Sequence, residues 1–489
     1  MPDSAGKPSN IETRLFINGD FVPSISGQTF DVINPATEQL AASVYEASPE
    51  DVDRAVKAAK DAFPAWAALD ASKRGDFILK LAEAIEQNLE EIGYLEAVTM
   101  GKPYLKPPYN WVGHHTVEGL KFFASLATAV AGETSLNTNG FVNLSFRQPY
   151  GVTAAIIPWN GPSFMLCNKI GPSLVAGNTM VLKTSEKSPL SALTIARLCQ
   201  EIGLPKGVLN ILSGFGRPCG EALAKHMDVR KISFTGSVPT GKAIKKAAAE
   251  SNLKNVTLEL GGKSPLVIFD DADLEQAIPA AAVSAVVNSG QGCILSTRLY
   301  VHEKIFDRFL DGLKVAMTKI GGEVNDPTME ATSRGPQADK IQFDRIMGYL
   351  QYAKDQKLDI VLGGGRAREP GYFIDPTIIV NAPEYSRVMK EEIFGPVVCV
   401  NSFKDEEDVI RRSNDSIFGL YASIFTRDIS RALRIAMQFE AGSVAINATS
   451  PLTAFDMPMG GWKQSGDGRE FSRRAWESWM EQKTVYIKL

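Results

Sequence analysis

Between residues 150 and 270, strand-sized apolar runs alternate with helix-length segments, and this alternation restricts the fold more than any other feature. The runs cover 152–157, 180–182, 208–211, 231–234 and 256–260, separated by helical segments near 163–176, 188–202, 217–226 and 239–251. Short buried strands alternating with helices have parallel neighbours and are covered on both faces. This stretch is therefore read as a mostly parallel, doubly wound sheet, which binds ligands at the carboxyl ends of its strands. A second alternating region runs from about 265 to 460, with strands expected at 296–302, 373–380, 397–403 and 443–447 and a helix at 303–320. The chain thus reads as two α/β domains.

The flanks read differently. Leu15-Phe16-Ile17 followed by Asn18-Gly19-Asp20 is a hairpin signal. Residues 49–68 and 70–97 have helical periodicity, and Ser48-Pro49-Glu50-Asp51 opens the first with a cap, a first-turn proline and early acids. A helix is expected over 116–131. The alternating stretch 135–147 suits an edge or inter-subunit strand, with 484–488 as its pairing partner.

With 489 residues, 44% of them hydrophobic and 22% charged, the chain can bury sizeable cores over two to four domains. A net charge of −4 and no basic patch speak against nucleic acid as the main partner. No segment approaches the roughly 18 uninterrupted apolar residues of a membrane helix, and the first ten residues lack a signal-peptide apolar region. The five scattered cysteines suit free thiols in a reducing compartment. Ile487-Lys488-Leu489 departs from a peroxisomal address, because Ile replaces the small residue. A cytoplasmic protein is expected, and no metal site.

Several stretches carry chemistry. Asn288-Ser289-Gly290-Gln291-Gly292-Cys293-Ile294 follows an apolar helical run and presents a thiol among glycines, which let a backbone turn sharply and approach a ligand. Such a thiol can be a nucleophile, although most free cysteines are small packed hydrophobes. Phe234-Thr235-Gly236-Ser237 joins a strand to a helix start whose N–H groups suit a phosphate. Its Gly-x-x-x-x-Gly spacing to Gly241 is not the Rossmann pattern, and a turn without ligand fits equally. Gly214-Phe215-Gly216 is a similar turn. Lys183 and Glu186 leave a strand three apart, placed either for ribose hydroxyls or as solvated loop charges.

Gly262-Lys263-Ser264 copies the end of a phosphate loop, but Thr257 stands where that loop requires glycine, so the match is rejected. Glu259, among Val256, Leu258 and Leu260 at a strand end, is either a general base with a burial-raised pKa or an ion-paired strand carboxylate. Asn160, after Pro158-Trp159, can donate to an oxyanion or cap the following helix. The Gly/Pro-rich loops 391–396 and 458–466 read as cleft walls.

In order along the chain stand Pro158-Trp159-Asn160, Lys183-x-x-Glu186, Phe234-Thr235-Gly236-Ser237, Glu259-Leu-Gly-Gly-Lys-Ser-Pro265, Gly290-Gln291-Gly292-Cys293, Glu392-Ile-Phe-Gly-Pro396 and Gly460-Gly461-Trp462-Lys463-x-Ser465-Gly466. Together they resemble the aldehyde dehydrogenase superfamily, over nearly the whole chain. The resemblance implies the aldehyde dehydrogenase fold: a Rossmann-like doubly wound NAD-binding domain (1–130 and 148–261), an α/β catalytic domain (262–464), and a small β oligomerisation arm with a C-terminal return (131–147 and 465–489). It implies a homodimer or homotetramer that oxidises a small-molecule aldehyde with NAD, NADP being possible.

By motif, Cys293 matches the nucleophile, Glu259 the general base, and Asn160 with the Cys293 backbone N–H the oxyanion hole. Cofactor contacts are implied for Ile156, Pro158, Trp159, Lys183, Ser185, Glu186, Gly216, Phe234, Gly236, Ser237, Leu260, Glu392 and Phe394. Gly161 stands where many relatives carry a bulky aromatic, and Asn168 where several are apolar, so a bulky or aromatic aldehyde is expected. Tyr104, Tyr109, Trp111, His114 and Phe455 are candidate channel walls. Two rival readings stay open: a coenzyme-A-acylating semialdehyde dehydrogenase, and a non-catalytic binding or structural protein of the same fold.

Overall fold

The computed structural model describes residues 6–105, 111–322, 324–451 and 454–489, the side chains of 111 and 112 aside; Tyr109 and the Trp111 side chain therefore lie outside the described residues. Ser48 and Asp51 exchange hydrogen bonds at the head of helix α1, Pro49–Ala68, closing a capping box with Pro49 in the first turn. Residues 70–97, expected as one helix, form two, α2 at Ala71–Gln87 and α3 at Leu89–Met100. At the break, the Asn88 side chain donates to Ala84 O at 2.8 Å, a local bond that competes with the helical ladder. Gly101, at φ 82°, ends α3 in the left-handed region. Helix α4 is Trp111–Ser125 and stops short of residue 131, the chain unwinding through i→i−3 turns at Leu126, Ala127 and Ala129.

The expected parallel sheet comprises β1 Val152–Ile156, β2 Thr179–Lys183, β3 Leu209–Leu212, β4 Lys231–Thr235 and β5 Asn255–Glu259. The strands lie in the order β3-β2-β1-β4-β5. The winding reverses between β1 and β4, which opens a crevice at their carboxyl ends. Helices α5 Pro162–Val175, α6 Leu190–Glu201 and α7 Val238–Glu250 connect the strands. The helix expected at 217–226 is instead a wide turn, Gly216–Gly220, and a short helix, Glu221–Lys225. Arg217 is extended there and Pro218 has no N–H to donate. At one edge the hairpin Leu15–Ile17/Asp20–Val22 turns through left-handed Asn18 and Gly19; at the other, Gly466–Asp467 pairs antiparallel with β5.

A second sheet contains β6 Ser264–Ile268, β7 Ser296–His302, β8 Thr377–Val380, β9 Val397–Phe403, β10 Tyr421–Phe425 and β11 Ser443–Ile446. They run parallel in the order β8-β9-β7-β6-β10-β11, with Asp359–Leu362 antiparallel beside β8. Helix α8, Leu274–Val286, packs with Phe306–Gly321 on one face, while α9, Lys340–Asp355, lies in the core of the other. The expected 373–380 strand is split into Phe373–Ile374 and β8, with Pro376 in the gap. The expected 303–320 helix starts as a 3-10 turn, Glu303–Ile305.

Met480–Lys488 pairs antiparallel with Phe141–Pro149 along nine residues, and Thr134–Ser135 adds an outer strand. Pairing of the C-terminal stretch with the 135–147 region is as expected. Among the described residues, no helix is long and apolar enough to cross a membrane, and no His/Cys/Asp/Glu cluster could hold a metal. Ser48→Ala removes one half of the α1 capping box and is expected to cost about 1 kcal/mol, seen as a lower midpoint in thermal unfolding; an unchanged midpoint would contradict the cap's contribution.

Candidate active site

A cleft of about 790 Å³ lies at the crevice between β1 and β4. Ten of the thirteen expected cofactor contacts line it: Ile156, Pro158, Trp159, Lys183, Ser185, Glu186, Gly216, Phe234, Gly236 and Ser237. At one end, Ser237 caps α7 without using its side chain, leaving first-turn N–H groups for an anion. Gly236 sits where a Cβ would come within 2.4 Å of the Phe234 ring, so a side chain there would have to displace that ring. Lys183 is buried, its amine donating to Thr184 O at 2.8 Å, and burial lowers its pKa. Sequence reasoning missed Lys187, which also lines the cleft: its ammonium lies 5.1 Å above the Trp159 ring and 2.7 Å from Asp339.

Leu260, Glu392 and Phe394 do not line this cleft. Leu260 is buried against Gly241, and its N–H donates to Ser465 O at 2.8 Å. Glu392 accepts from Gly262 N at 2.8 Å and lies where a Cβ on Gly261 would come within 2.3 Å of its carboxylate. Burial pushes its pKa up to about 7. Phe394 meets Trp159 edge-on at 5.3 Å from a left-handed backbone, φ 61°, whose carbonyl accepts from Gln342 at 3.0 Å. It therefore stands beside the cleft, reached through Trp159.

Cys293 follows an unusual reversal. Helix α8 ends, and Asn288, Ser289 and Gly290 are successively left-handed, at φ 50°, 55° and 74°. At Gly290 a Cβ would fall 2.1 Å from Gly395 C, so the close approach of the two chains requires glycine. Two non-glycine residues in this region are costly unless their surroundings hold them. Segment 335–338 does so. Ser289 Oγ donates to Gly335 O at 2.6 Å, Gln337 Nε2 to Ser289 O at 3.0 Å, and Ala338 N to Gln291 Oε1 at 2.9 Å. Asn160 joins the same turn: its Nδ2 donates to Gln291 O at 3.1 Å, while its own carbonyl accepts from Asn288 Nδ2 at 3.1 Å. The amide is thereby fixed beside the Cys293 turn with a second N–H to spare.

Glu259 ends β5 buried, and both carboxylate oxygens lack a hydrogen-bond partner among the described residues. Burial raises its pKa to about 8, against the opposing fields of Lys169 and Arg469. Gly460 leaves room for it, since a Cβ there would lie 2.8 Å from Glu259 Oε1. The next turn touches the thiol's segment, because a Cβ on Gly262 would come within 2.4 Å of Cys293 O. Burial pushes the Cys293 thiol up to about 12, and the Glu392 and Glu259 carboxylates add to this. Sequence reasoning also missed Lys169 and Glu470, which form a tight ion pair, with Lys169 donating to Thr235 Oγ1 at 2.8 Å. A lysine inside the apolar run of α5 was the available signal; its partner lies 301 residues away.

Of the candidate channel walls, Tyr104 is buried in packing against Gly93, and His114 is exposed. The neighbouring His115 meets Phe455 instead, with ring centroids 5.6 Å apart, and Phe455 contacts Phe471 at 5.5 Å. Asn168 is buried beside Gly119, and its amide has no partner among the described residues.

A reversing parallel sheet with a cleft at its switch point, joined to a second parallel sheet whose first crossover carries the cysteine turn, defines a two-sheet α/β architecture. The sequence profile of the aldehyde dehydrogenase family matches residues 21–485, and the chain belongs to that family. It is 43% identical to the aldehyde dehydrogenase, mitochondrial, of Leishmania tarentolae over 99% of this chain and 97% of that protein. The structure of the Bacillus cereus aldehyde dehydrogenase NAD+ complex is 41% identical, with a TM-score of 0.95 over 98% of this chain and 97% of the other. The P. syringae indole-3-acetaldehyde dehydrogenase, solved with NAD+ and IAA, is 38% identical, with a TM-score of 0.95 over 98% and 97%. The adjoining carboxylates predict that Glu392→Gln, by removing charge, speeds alkylation of Cys293 by iodoacetamide several-fold at pH 8 to 9. A slower or equal rate, followed by mass spectrometry, would contradict this electrostatic picture.

Proposed function

We propose that the protein oxidises an aldehyde to the carboxylic acid with NAD, through a covalent intermediate on Cys293. The observation that carries this is the Asn160 amide bonded onto the Cys293 turn, with the buried, unpartnered Glu259 carboxylate close enough for its charge to act on the Cys293 thiol. The cleft fits a dinucleotide: N–H donors at the head of α7 suit the pyrophosphate, and Lys183 and Glu186, also in its lining, suit ribose hydroxyls. A carboxylate at Glu186 favours a ribose diol over a 2′-phosphate, hence NAD over NADP. When bound, the nicotinamide supplies the hydride acceptor.

The chain's own groups do the rest. The Cys293 thiol gives up its proton, for which Glu259 with its raised pKa is the adjacent acceptor. The thiolate adds to the carbonyl carbon, and the resulting alkoxide oxygen is held by Asn160 Nδ2–H and the Cys293 N–H. Loss of hydride from that carbon re-forms the carbonyl as a thioester. Once the thiol's proton has passed from Glu259 to solvent, Glu259 takes a proton from water, the hydroxide adds to the thioester carbon, and the acid is released as the Cys293 sulfur leaves and regains its proton from Glu259. A buried base beside the thioester supports hydrolysis over transfer to coenzyme A. Lys169, through its charge, keeps Glu259 from becoming too weak an acid to ionise.

For substrate we favour a bulky or aromatic aldehyde. A Cβ on Gly161 would meet nothing within 4 Å, and Phe164, three residues on, meets Phe471 at 6.1 Å in an aromatic cluster with Phe455 and His115. We also read 1–130 with 148–261 as the NAD-binding domain, 262–464 as the catalytic domain, and 131–147 with 465–489 as an oligomerisation arm of a homodimer or homotetramer. The two sheets and the separate Phe141–Pro149/Met480–Lys488 ribbon, whose C-terminal strand is largely exposed, support that division. Five free cysteines fit a reducing compartment such as the cytoplasm.

Cys293→Ala is expected to abolish NADH formation across an aldehyde panel while NAD binding persists by calorimetry; substantial residual turnover removes the nucleophile assignment. The need for an ionised Glu259, whose pKa is raised to about 8, predicts an acid limb in kcat against pH near pH 8, activity rising as the carboxylate deprotonates. Lys169→Met removes a field that lowers this pKa and moves the limb to higher pH. A limb unmoved or shifted downward contradicts the coupling.

A further inference from the structure

Asn160 immediately precedes helix α5, whose N-cap is Gly161 and whose first turn has no side-chain cap of its own. The cap comes from elsewhere. Glu96, on α3 and 1% exposed, accepts through Oε1 from both Ser163 N–H at 3.0 Å and Ser163 Oγ–H at 2.6 Å. A carboxylate at a helix N-terminus is favoured by the helix dipole and satisfies an orphan N–H. Its other oxygen pairs with Lys102, which is 5% exposed and lies just past the end of α3. Both charges are thus buried, an arrangement whose desolvation cost makes it a weak source of stability but an exact constraint on position.

The same end of α3 also touches the other half of the site. A Cβ on Gly101 would meet Pro336 at 2.7 Å, and one on Gly335 would fall 1.7 Å from Gly101 O. Gly335 and Pro336 belong to the segment that bonds Ser289 and Gln291, the residues leading to Cys293. One short stretch, Glu96 to Lys102, therefore abuts both the helix that carries Asn160 and the segment that locks the cysteine turn.

We propose that Glu96, held by Lys102 and acting through Ser163, is a positioning residue that sets Asn160 against Cys293 so that the two oxyanion donors converge. The proposal rests on the reading of Asn160 as an oxyanion donor. Glu96 touches neither substrate nor cofactor; its contribution passes through the head of α5.

A double-mutant cycle on the full-length enzyme tests this, with steady-state kcat and KM, the NAD dissociation constant and thermal unfolding measured for Glu96→Gln, Asn160→Ala and the pair. Glu96→Gln is expected to lower kcat about tenfold, leaving NAD affinity unchanged, yet to change kcat less than twofold when Asn160 is already Ala. Ser163→Ala, which removes only a hydroxyl, is expected to act in the same direction by a few-fold, and it keeps the test open if Glu96→Gln does not fold. Losses that multiply in the double variant, or native kcat in a folded Glu96→Gln or Ser163→Ala protein, overturn the positioning role. Asn160→Ala with near-native kcat would instead overturn the oxyanion reading on which the proposal rests.

Discussion

The Glu259 carboxylate is buried with neither oxygen hydrogen-bonded among the described residues, and much of its surroundings follows from that unmet demand. An unsatisfied buried polar group costs about 1–3 kcal/mol, and more when charged. The fold lowers the cost by letting the group hold its proton at neutral pH, which is what a pKa near 8 means. Lys169 and Arg469 limit how far that shift goes. Complete pairing of Glu259 would remove the cost, but it would also use up the lone pairs that the proposed mechanism needs to accept a proton from thiol or water.

Helix α5 ties these requirements together. Asn160 sits ahead of its first turn and Lys169 lies two turns in, so the proposed oxyanion donor and the lysine whose charge acts on Glu259 are carried at the head and in the body of one rigid element. A displacement of the helix would move both, which is a reason for holding its head by Glu96 and its body through Lys169 and Glu470. Burial pushes the Lys169 pKa down while the Glu470 carboxylate beside it favours the ammonium, and Lys169 and Glu259 respond to each other's charge.

Much of this was readable from residue order. Apolar runs such as 152–157 reported the buried parallel strands because strands covered on both faces have no polar side, and α1 announced itself through Ser48, Pro49 and Asp51. The cofactor cleft followed from topology, since the turns after β1 and β4 must meet where the winding reverses. What escaped was set by contacts remote in sequence. Nothing around Asn88 distinguishes one long helix from two, because the break depends on a single side chain choosing a carbonyl four residues back. Glu470, and Glu96 with Ser163, are paired across 301 and 67 residues, distances at which spacing carries no signal. Phe394, whose cofactor contact was implied by motif, packs edge-on against Trp159 of the cleft wall, a placement that residue order alone does not fix.

The left-handed run Asn288-Ser289-Gly290 shows why the cysteine motif needs more than its own residues. A short glycine-rich loop would reach the same reversal with less strain, yet it would also sample many others, and the thiol and its N–H must point to one place. Asn is among the residues that tolerate φ > 0 best, but Ser289 has no such preference and is held by two bonds to segment 335–337. Each such residue costs on the order of 1 kcal/mol or more. The neighbouring segment offsets that cost with hydrogen bonds that exist only when the turn has this one shape. Rigidity at Cys293 is therefore imposed from outside the motif, and the motif supplies chiefly the absence of side chains where Gly395 must pass.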